Sequence, residues 1–342
     1  MKPVEALCRI AFLLESQNAA TPRVKAFRGA AATVVRLGDR EVAKRANEGT
    51  LTALDGIGAS TAKVITECVA GRHPEYLAKL EAEPAILPET AEGASLMAAL
   101  RGDLHVHSDW SDGGSSIEEM ARTAAGLGRA YMVLTDHSPR LTVANGLTAE
   151  RLLLQLDEVA RLNTELAPFR ILTGIEVDIN EDGSLDQSPE LLSQLDIVVG
   201  SIHSKLRMER EAMTRRMIMA VANPRLDVLG HCTGRMRGGR TDRPESTFDA
   251  EMVFAACARF DKAVEINCRP ERNDPPRRLI SEAMAFNCRF SIDSDAHAPG
   301  QLTWLPFGCD RGGSVGVQPE MVVNAMAAED LLTWAGEHEA EG

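Results

Sequence analysis

The sequence predicts an α/β protein: a parallel sheet closed, or nearly closed, into a barrel, with a small all-helical domain ahead of it. Three observations carry that expectation. From residue 102 onward, seven short apolar runs alternate with amphipathic stretches, the pattern of strand–helix units that feed a parallel sheet. Residues 1–83 carry helical periodicity alone. Between the two textures lies 84–101 (PAILPETAEGASLMAALR), with two prolines and a glycine, which reads as a linker.

In the head, apolar residues recur at helical spacing as Val4, Leu7, Cys8 and Phe12, then as Val24, Phe27, Ala31, Val34 and Val35. Thr21-Pro22 reads as an N-cap followed by a first-turn proline. Asp55-Gly56-Ile57-Gly58 breaks the pattern; a new helix opens near Ser60-Thr61, runs to about Ala70 and stops at Gly71. In the body the strand-like runs are 103–106, 131–135, 171–177, 195–199, 226–229, 263–266 and 289–292. Helical periodicity fills 148–166, 209–222, 246–260 and 276–287. There is no internal repeat and no low-complexity tract.

Of the 342 residues, 44% are apolar and 25% charged, so the chain can bury a full core, and a wholly disordered, collagen-like or coiled-coil chain is excluded. No stretch approaches 18 consecutive apolar residues, and MKPVEALCRI is no signal peptide, so a cytoplasmic protein without a membrane partner is expected. The seven cysteines are scattered, with no C-x-x-C pair, which argues against a disulfide framework and a thiolate zinc site. The net charge of −13 is uneven: residues 1–83 hold 12 basic and 10 acidic residues, a balance of +2, and the rest hold 25 and 40, a balance of −15. An acidic body is usually a solvated surface, but it also arises where carboxylates gather around cations.

Six of the eight histidines sit at or just past the C-terminal end of a predicted strand: His105 and His107 (DLHVHSDWSDG), His137 (VLTDHS), His203 (VVGSIHS), His231 (VLGHC) and His297 (SIDSDAHA). Asp112, Glu176 and Asp295 join them at equivalent places. In a βα barrel these strand ends converge on one mouth, where such enzymes do chemistry. In H-x-H and D-x-H the two ligands face the same way on extended chain. Imidazoles and carboxylates without thiolates suit zinc, manganese or iron. Nine candidates exceed the needs of one ion, so two or three divalent ions are expected, a cluster suited to phosphoryl displacement and to generating hydroxide at neutral pH. Asp136, beside His137, reads as an orienter of that histidine. Cys232 reads as core, and His73 and His338 as surface residues.

These residues resemble the successive motifs of the PHP (polymerase and histidinol phosphatase) family over about 102–310. The resemblance implies a distorted (β/α)7 TIM-like barrel with a trinuclear site, commonly manganese or zinc. It implies one ion on His105, His107, Glu176 and Asp295, a second on Asp112, His137 and His297, and a third on a bridging Glu176 with His203 and His231. An anionic substrate also needs cations beside the cluster. Lys205 and Arg272 are the candidates taken forward for catalysis, among Arg235, Arg237, Arg240 and Arg269 on neighbouring loops.

In the head, Leu54-Asp55-Gly56-Ile57-Gly58 followed by a helix resembles a helix-hairpin-helix, whose turn at Gly56, Ile57 and Gly58 would bind a DNA phosphate. The run from Val4 to Glu83 resembles the N-terminal domain of bacterial family-X DNA polymerases, which end in a PHP domain. Here only 84–101 stands where those relatives carry a nucleotidyl-transfer module, so polymerase activity is not expected. Relatives with 5′-deoxyribose-phosphate lyase activity carry a Schiff-base lysine on the helix after G-x-G. The matching position is Val64, with Lys63 turned about 100° away around the helix, so lyase activity is not expected either. With aromatics at 4%, any nucleic-acid contact should be directed to the backbone.

The leading expectation is a metal-dependent phosphoesterase acting on nucleic acid, as a 3′–5′ exonuclease or in repair-type end processing. The alternative is a small-molecule phosphate monoesterase of histidinol-phosphatase type, which the acidic body favours. A DNA-binding scaffold with structural metals is a third reading, opposed by the ligand number.

Overall fold

The computed structural model describes residues 1–238 and 242–340, in two compact units, Met1–Ile86 and Leu87–Gly342. The first contains α1 (Pro3–Ser16), α2 (Thr21–Leu37), α3 (Asp39–Glu48), α4 (Ala59–Val69) and α5 (Glu75–Glu81). Leu7, Ile10 and Leu14 of α1 meet Phe27, Ala30 and Val34 of α2 and Val64 and Ile65 of α4 in one core, so the 3.6-residue spacing read from the sequence is the buried stripe. Thr21 is the first residue of α2 rather than its cap; Ala20 takes that position, with no side-chain cap.

Between α3 and α4 the chain makes a 3-10 turn, Leu51–Ala53, and a hairpin. Gly56 has φ +81°, and a Cβ there would stand 3.3 Å from Thr33 Oγ1, so the turn requires glycine. Ile57 is buried in the helical core.

The second unit begins with a correction. The stretch expected to be linker contains α6 (Ala91–Ala99), capped by Thr90, whose hydroxyl accepts the amide of Gly93. Asp310 fixes its start by accepting the amides of Glu89 (2.8 Å) and Thr90 (3.0 Å) and the Thr90 hydroxyl (2.8 Å). Gly93 lowers helix propensity and obscures the helix in the sequence, but a Cβ there would lie 2.1 Å from Asp310 Oδ1.

Strand–helix alternation follows. The strands are β1 (Gly102–Val106), β2 (Tyr131–Leu134), β3 (Arg170–Asp178), β4 (Ile197–Ser201), β5 (Val228–Leu229), β6 (Ala263–Asn267) and β7 (Arg289–Asp293). The helices are α7 (Ile117–Gly126), α8 (Ala149–Leu166), α9 (Pro189–Leu192), α10 (Arg210–Val221), α11 (Ala250–Arg259), α12 (Arg277–Ala285), α13 (Leu305–Gly313) and α14 (Ala328–Ala340). All strand pairs are parallel, in the order β1-β2-β3-β4-β5-β6-β7. The two edges approach each other where Val106 bridges Ala296 and the His107 amide donates to Ala296 O at 2.8 Å. The result is a distorted, nearly closed (β/α)7 barrel of TIM type. Its strands are buried along almost their whole length, as expected of a sheet covered by helices.

His338 is a second correction. It is buried on α14, with Nδ1 2.8 Å from Asp227 Oδ1 and Nε2 3.1 Å from the Asp261 carbonyl. Trp334 Nε1 donates to Asp261 Oδ2 at 3.0 Å, so α14 is tied to the barrel by polar contacts that apolar spacing does not reveal. His73 is exposed, 2.9 Å from Glu81 Oε2. Among the described residues no helix is long and apolar enough to cross a membrane.

Candidate metal centre

The barrel brings all nine candidate ligands to one place. His105 lies inside β1, and His107 follows it on the same face one pleat further. Parallel bridging of His137 to Glu176 sets the end of β2 against β3. His203, His231, Asp295 and His297 lie just past the ends of β4, β5 and β7.

Glu176 is the hub, and it is buried. Its Oε1 lies 2.8 Å from His231 Nε2 and 3.3 Å from His203 Nε2. Its Oε2 lies 2.8 Å from His137 Nδ1, 3.4 Å from His105 Nε2 and 3.7 Å from His107 Nε2. Asp295 Oδ1 stands 3.4 Å from His107 Nε2 and 3.9 Å from His105 Nε2. On the other side of His107, Asp112 Oδ1 lies 3.3 Å from His297 Nε2 and 3.5 Å from His137 Nε2. His107, Asp112, His137 and His297 therefore group around one point, His105, His107 and Glu176 around a second, and His137, Glu176 and His203 around a third.

The donors fit metal ions. His105 Nε2, His107 Nε2 and His203 Nε2 are buried and make no hydrogen bond, although leaving a buried polar atom unpaired is costly. Their separations from the carboxylate oxygens match two ligands of one ion, which at about 2.1 Å from the metal stand roughly 3.4 Å apart. The cluster is a multinuclear metal site.

Charge is distributed to suit cations. Burial disfavours ionisation of Glu176, but His203, His137 and His105 outweigh it and hold its carboxyl well below the ordinary range. Burial likewise opposes Asp295, which Arg269, His105 and Arg272 hold well below its usual value. Burial, with His297 and His137 beside it, pushes His107 well down, and burial with Arg272 lowers His231, so both are neutral donors.

Two of the basic candidates line this centre. Arg272 is buried, and its Nε donates to Asp295 Oδ2 at 3.0 Å. Arg269 Nη1 lies 3.0 Å from His297 Nδ1 and 3.6 Å from Asp295 Oδ1. Arg272 Nη1 and Arg269 Nε are buried without hydrogen-bond partners. Lys205 is exposed, with φ +55°, and its carbonyl accepts the Met208 amide. Arg235 is buried and turned to other work: it donates to Arg272 O, Asn273 O and Glu245, holding the loop that carries Arg272. Arg237 is exposed, and Arg240 lies outside the described residues.

Asp136, expected to orient His137, does not. Adjacent strand residues face opposite ways, and its carboxylate accepts the Ser108 amide (2.9 Å) and hydroxyl (2.6 Å), the Ser111 hydroxyl and the Gln155 amide group (2.6 Å). It anchors the turn that leads to Asp112.

The sequence reading missed two supporting carboxylates. Asp178 meets His203 Nδ1, and Glu265 lies 2.6 Å from His105 Nδ1. Both carry the i, i+2 signal already used for the ligands: Glu176 with Asp178, and Glu265 with Asn267. A glutamate inside the apolar run AVEIN was the available clue.

In the head, Val64 is buried and Lys63 is exposed, 2.7 Å from Glu75. Ile57 donates its amide to Leu54 O at 3.2 Å and Gly58 to Thr61 Oγ1 at 3.0 Å. Two of the three amides expected to face a phosphate are thus engaged within the hairpin.

Comparison with known proteins agrees with this geometry. A family model described as the PHP domain matches residues 103–267. The chain is 37% identical over 235 residues to the DNA polymerase/3′-5′ exonuclease PolX of Bacillus subtilis (strain 168), covering 69% of this chain but only 41% of that protein. It is 30% identical over 233 residues to a probable phosphatase of Thermoanaerobacter sp. (strain X514), covering 65% of this chain and 89% of that protein. A histidinol phosphate phosphatase from Lactococcus lactis, solved with zinc, L-histidinol and phosphate, superposes with a TM-score of 0.46 at 15% identity, over 64% of this chain and 94% of that one. With its ligand cluster at the barrel mouth, the chain belongs to the PHP family and is a metal-binding hydrolase of phosphoric esters.

Proposed function

We propose that the protein hydrolyses phosphodiester bonds of nucleic acid, working from a 3′ end or at a damaged site, with two or three divalent ions, manganese or zinc and with iron as a further candidate. The observation that carries this reading is a complete ring of nine donors flanked by buried guanidinium N–H groups, in a chain that also bears a glycine hairpin in a slightly basic head. The similarity to a protein named as a 3′-5′ exonuclease supports it.

Ions held by the three groups would polarise a phosphoryl oxygen and lower the pKa of water. The chain's own contribution is placement. Glu176 holds two of the three ligand groups in register, and Asp112 and Asp295 close the two ends. Arg272 and Arg269 offer N–H donors where a phosphoryl group would gain charge. Lys205, exposed at the rim, would meet the next phosphate along a strand. The head, through the turn at Gly56, Ile57 and Gly58, would hold the backbone without reading sequence. The product would be a 5′-mononucleotide and a shortened strand with a free 3′-hydroxyl.

A second reading is a phosphate monoesterase of histidinol-phosphatase type. The probable phosphatase whose length the chain nearly spans favours it, as does the −15 balance outside the head, because an acidic rim repels polyanions.

A gel assay of the protein with Mn²⁺ on a 5′-labelled single-stranded oligonucleotide separates the two. A product ladder absent in Asp295→Ala supports the nuclease. An intact oligonucleotide beside turnover of a phosphate monoester supports the monoesterase.

A further inference from the structure

Strand β6 supplies none of the nine candidate ligands, yet two of its residues face the metal centre. Glu265 is fully buried. Its Oε1 lies 2.6 Å from His105 Nδ1, and its Oε2 accepts the backbone amide of His231 and, at 3.3 Å, the Asn267 amide group. Asn267 Nδ2 also donates to Asp295 Oδ2 at 3.0 Å. One strand without a ligand thus touches three segments that each carry one: β1 through His105, the end of β5 through His231, and the end of β7 through Asp295.

A buried carboxylate costs several kcal/mol of desolvation, as an order of magnitude, unless its lone pairs are filled. At Glu265 they are filled by groups with a fixed direction. The His231 backbone N–H can only donate, which commits Oε2. Oε1 is left for His105 Nδ1, and a carboxylate oxygen there requires the imidazole proton on Nδ1. The opposite nitrogen, Nε2, is then the one turned toward Glu176 Oε2 and Asp295 Oδ1, at 3.4 and 3.9 Å, and the one an ion would take. We infer that Glu265 is the positioning carboxylate of the metal centre: it fixes His105 as the tautomer that can ligate an ion and locks that histidine to the loop bearing His231. This rests on the metal-centre reading above and goes beyond it in assigning a role to a residue that holds no ion.

Glu265→Gln is the discriminating change, because it preserves shape and replaces one acceptor with a donor. The amide oxygen must still meet the His231 N–H, so the NH2 group faces His105 Nδ1. That nitrogen must then accept, and the proton moves to Nε2, where it blocks the ligand lone pair. The measurement is zinc binding by the full chain, with stoichiometry from elemental analysis and affinity from competition with a chromophoric chelator. Asp227→Asn is the comparison: Asp227 is also buried and accepts Val198 N (2.8 Å), but its other partner is His338, away from the ligands.

Glu265→Gln should bind one ion about 10–100-fold more weakly, with the remaining ions unaffected. Asp227→Asn should lower the melting temperature and leave all affinities at the wild-type level. Wild-type affinity in Glu265→Gln, or equal weakening in both variants, overturns the inference. A wild-type chain that binds no ion overturns the metal-centre reading itself, a distinct outcome. Should Glu265→Gln fail to fold, ¹⁵N-histidine spectra of the wild-type zinc protein decide: a His105 proton on Nδ1 sustains the inference, and a proton on Nε2 overturns it.

Discussion

His231 Nε2 and Glu176 Oε1 stand 2.8 Å apart, joining the end of β5 to β3 across β4. The other oxygen of Glu176 is claimed from the opposite side by His137 at 2.8 Å. One carboxylate therefore spans two coordination groups. Glu176→Gln leaves a single acceptor oxygen, so it should remove more than one ion per chain and lower kcat/KM by at least about 100-fold. Elemental analysis of the variant checks this; full metal content would refute the bridging role.

The centre should also bind metal in a pH-dependent way. Burial opposes a charge on His203, but Glu176 and Asp178 outweigh it and raise its pKa from 6.5 to about 9. Because the folded value lies above the ordinary one, the protonated histidine stabilises the ion-free fold fully below pH 6.5. That contribution is lost as pH rises through about 9. An ion taking Nε2 must displace this proton, so affinity at that position should rise about tenfold per unit across the same window and level off above it. Titrations with Mn²⁺ at pH 6.5, 7.5 and 8.5 measure the slope, and a flat profile would exclude His203 as a ligand.

Arg272 is expected to act on substrate rather than on metal retention. Its Nε is committed to Asp295 at 3.0 Å, while Nη1 is buried without a hydrogen bond. Arg272→Lys keeps a cation near Asp295 but loses the second N–H. The loss of one charge-assisted hydrogen bond, about 1.5–3 kcal/mol, corresponds to roughly 10–150-fold in kcat/KM, with metal content preserved. A variant that loses metal in proportion to activity would assign Arg272 to the support of Asp295 instead.

The anchor of α6 makes a separate, purely structural prediction. Asp310→Ala removes the acceptor for Glu89 N, Thr90 N and the Thr90 hydroxyl. It should cost about 1–3 kcal/mol and speed limited proteolysis within 84–90, with metal binding unchanged. Cleavage at the wild-type rate would show that α6 is held by its apolar contacts alone.

The ligands were legible because six of the chain's eight histidines fall at the C-terminal end of a strand, and because His105 with His107 and Asp295 with His297 form i, i+2 pairs. A period of two survives in any extended segment, whatever surrounds it. What was not legible depends on partners distant in sequence. The helix around Gly93 looks broken until Asp310 is beside it, since only a glycine admits that carboxylate. Asp136 adjoins a ligand in sequence, but the strand alternation sends it to Ser108 and Gln155 instead. His338 falls on the helical stripe of Leu331, Trp334 and Ala335, but a polar ring is buried there only because Asp227 and Asp261 meet it. Glu265 was readable in principle, as a lone charge in an apolar strand.

Cys232, Cys257, Cys268, Cys288 and Cys309 of the barrel are buried thiols, so among the described residues no disulfide ties the barrel together. A loaded metal centre would provide the equivalent. An ion shared by His105 and Asp295 would fasten the first strand to the segment after the last, pinching off nearly the whole barrel as one loop. Closing a loop of that length in the denatured chain is worth on the order of 5 kcal/mol. Ions bound there would thus be fasteners as well as reagents. A chelator should act on this protein as a reductant acts on a disulfide-bonded one, opening the seam between β7 and β1 first.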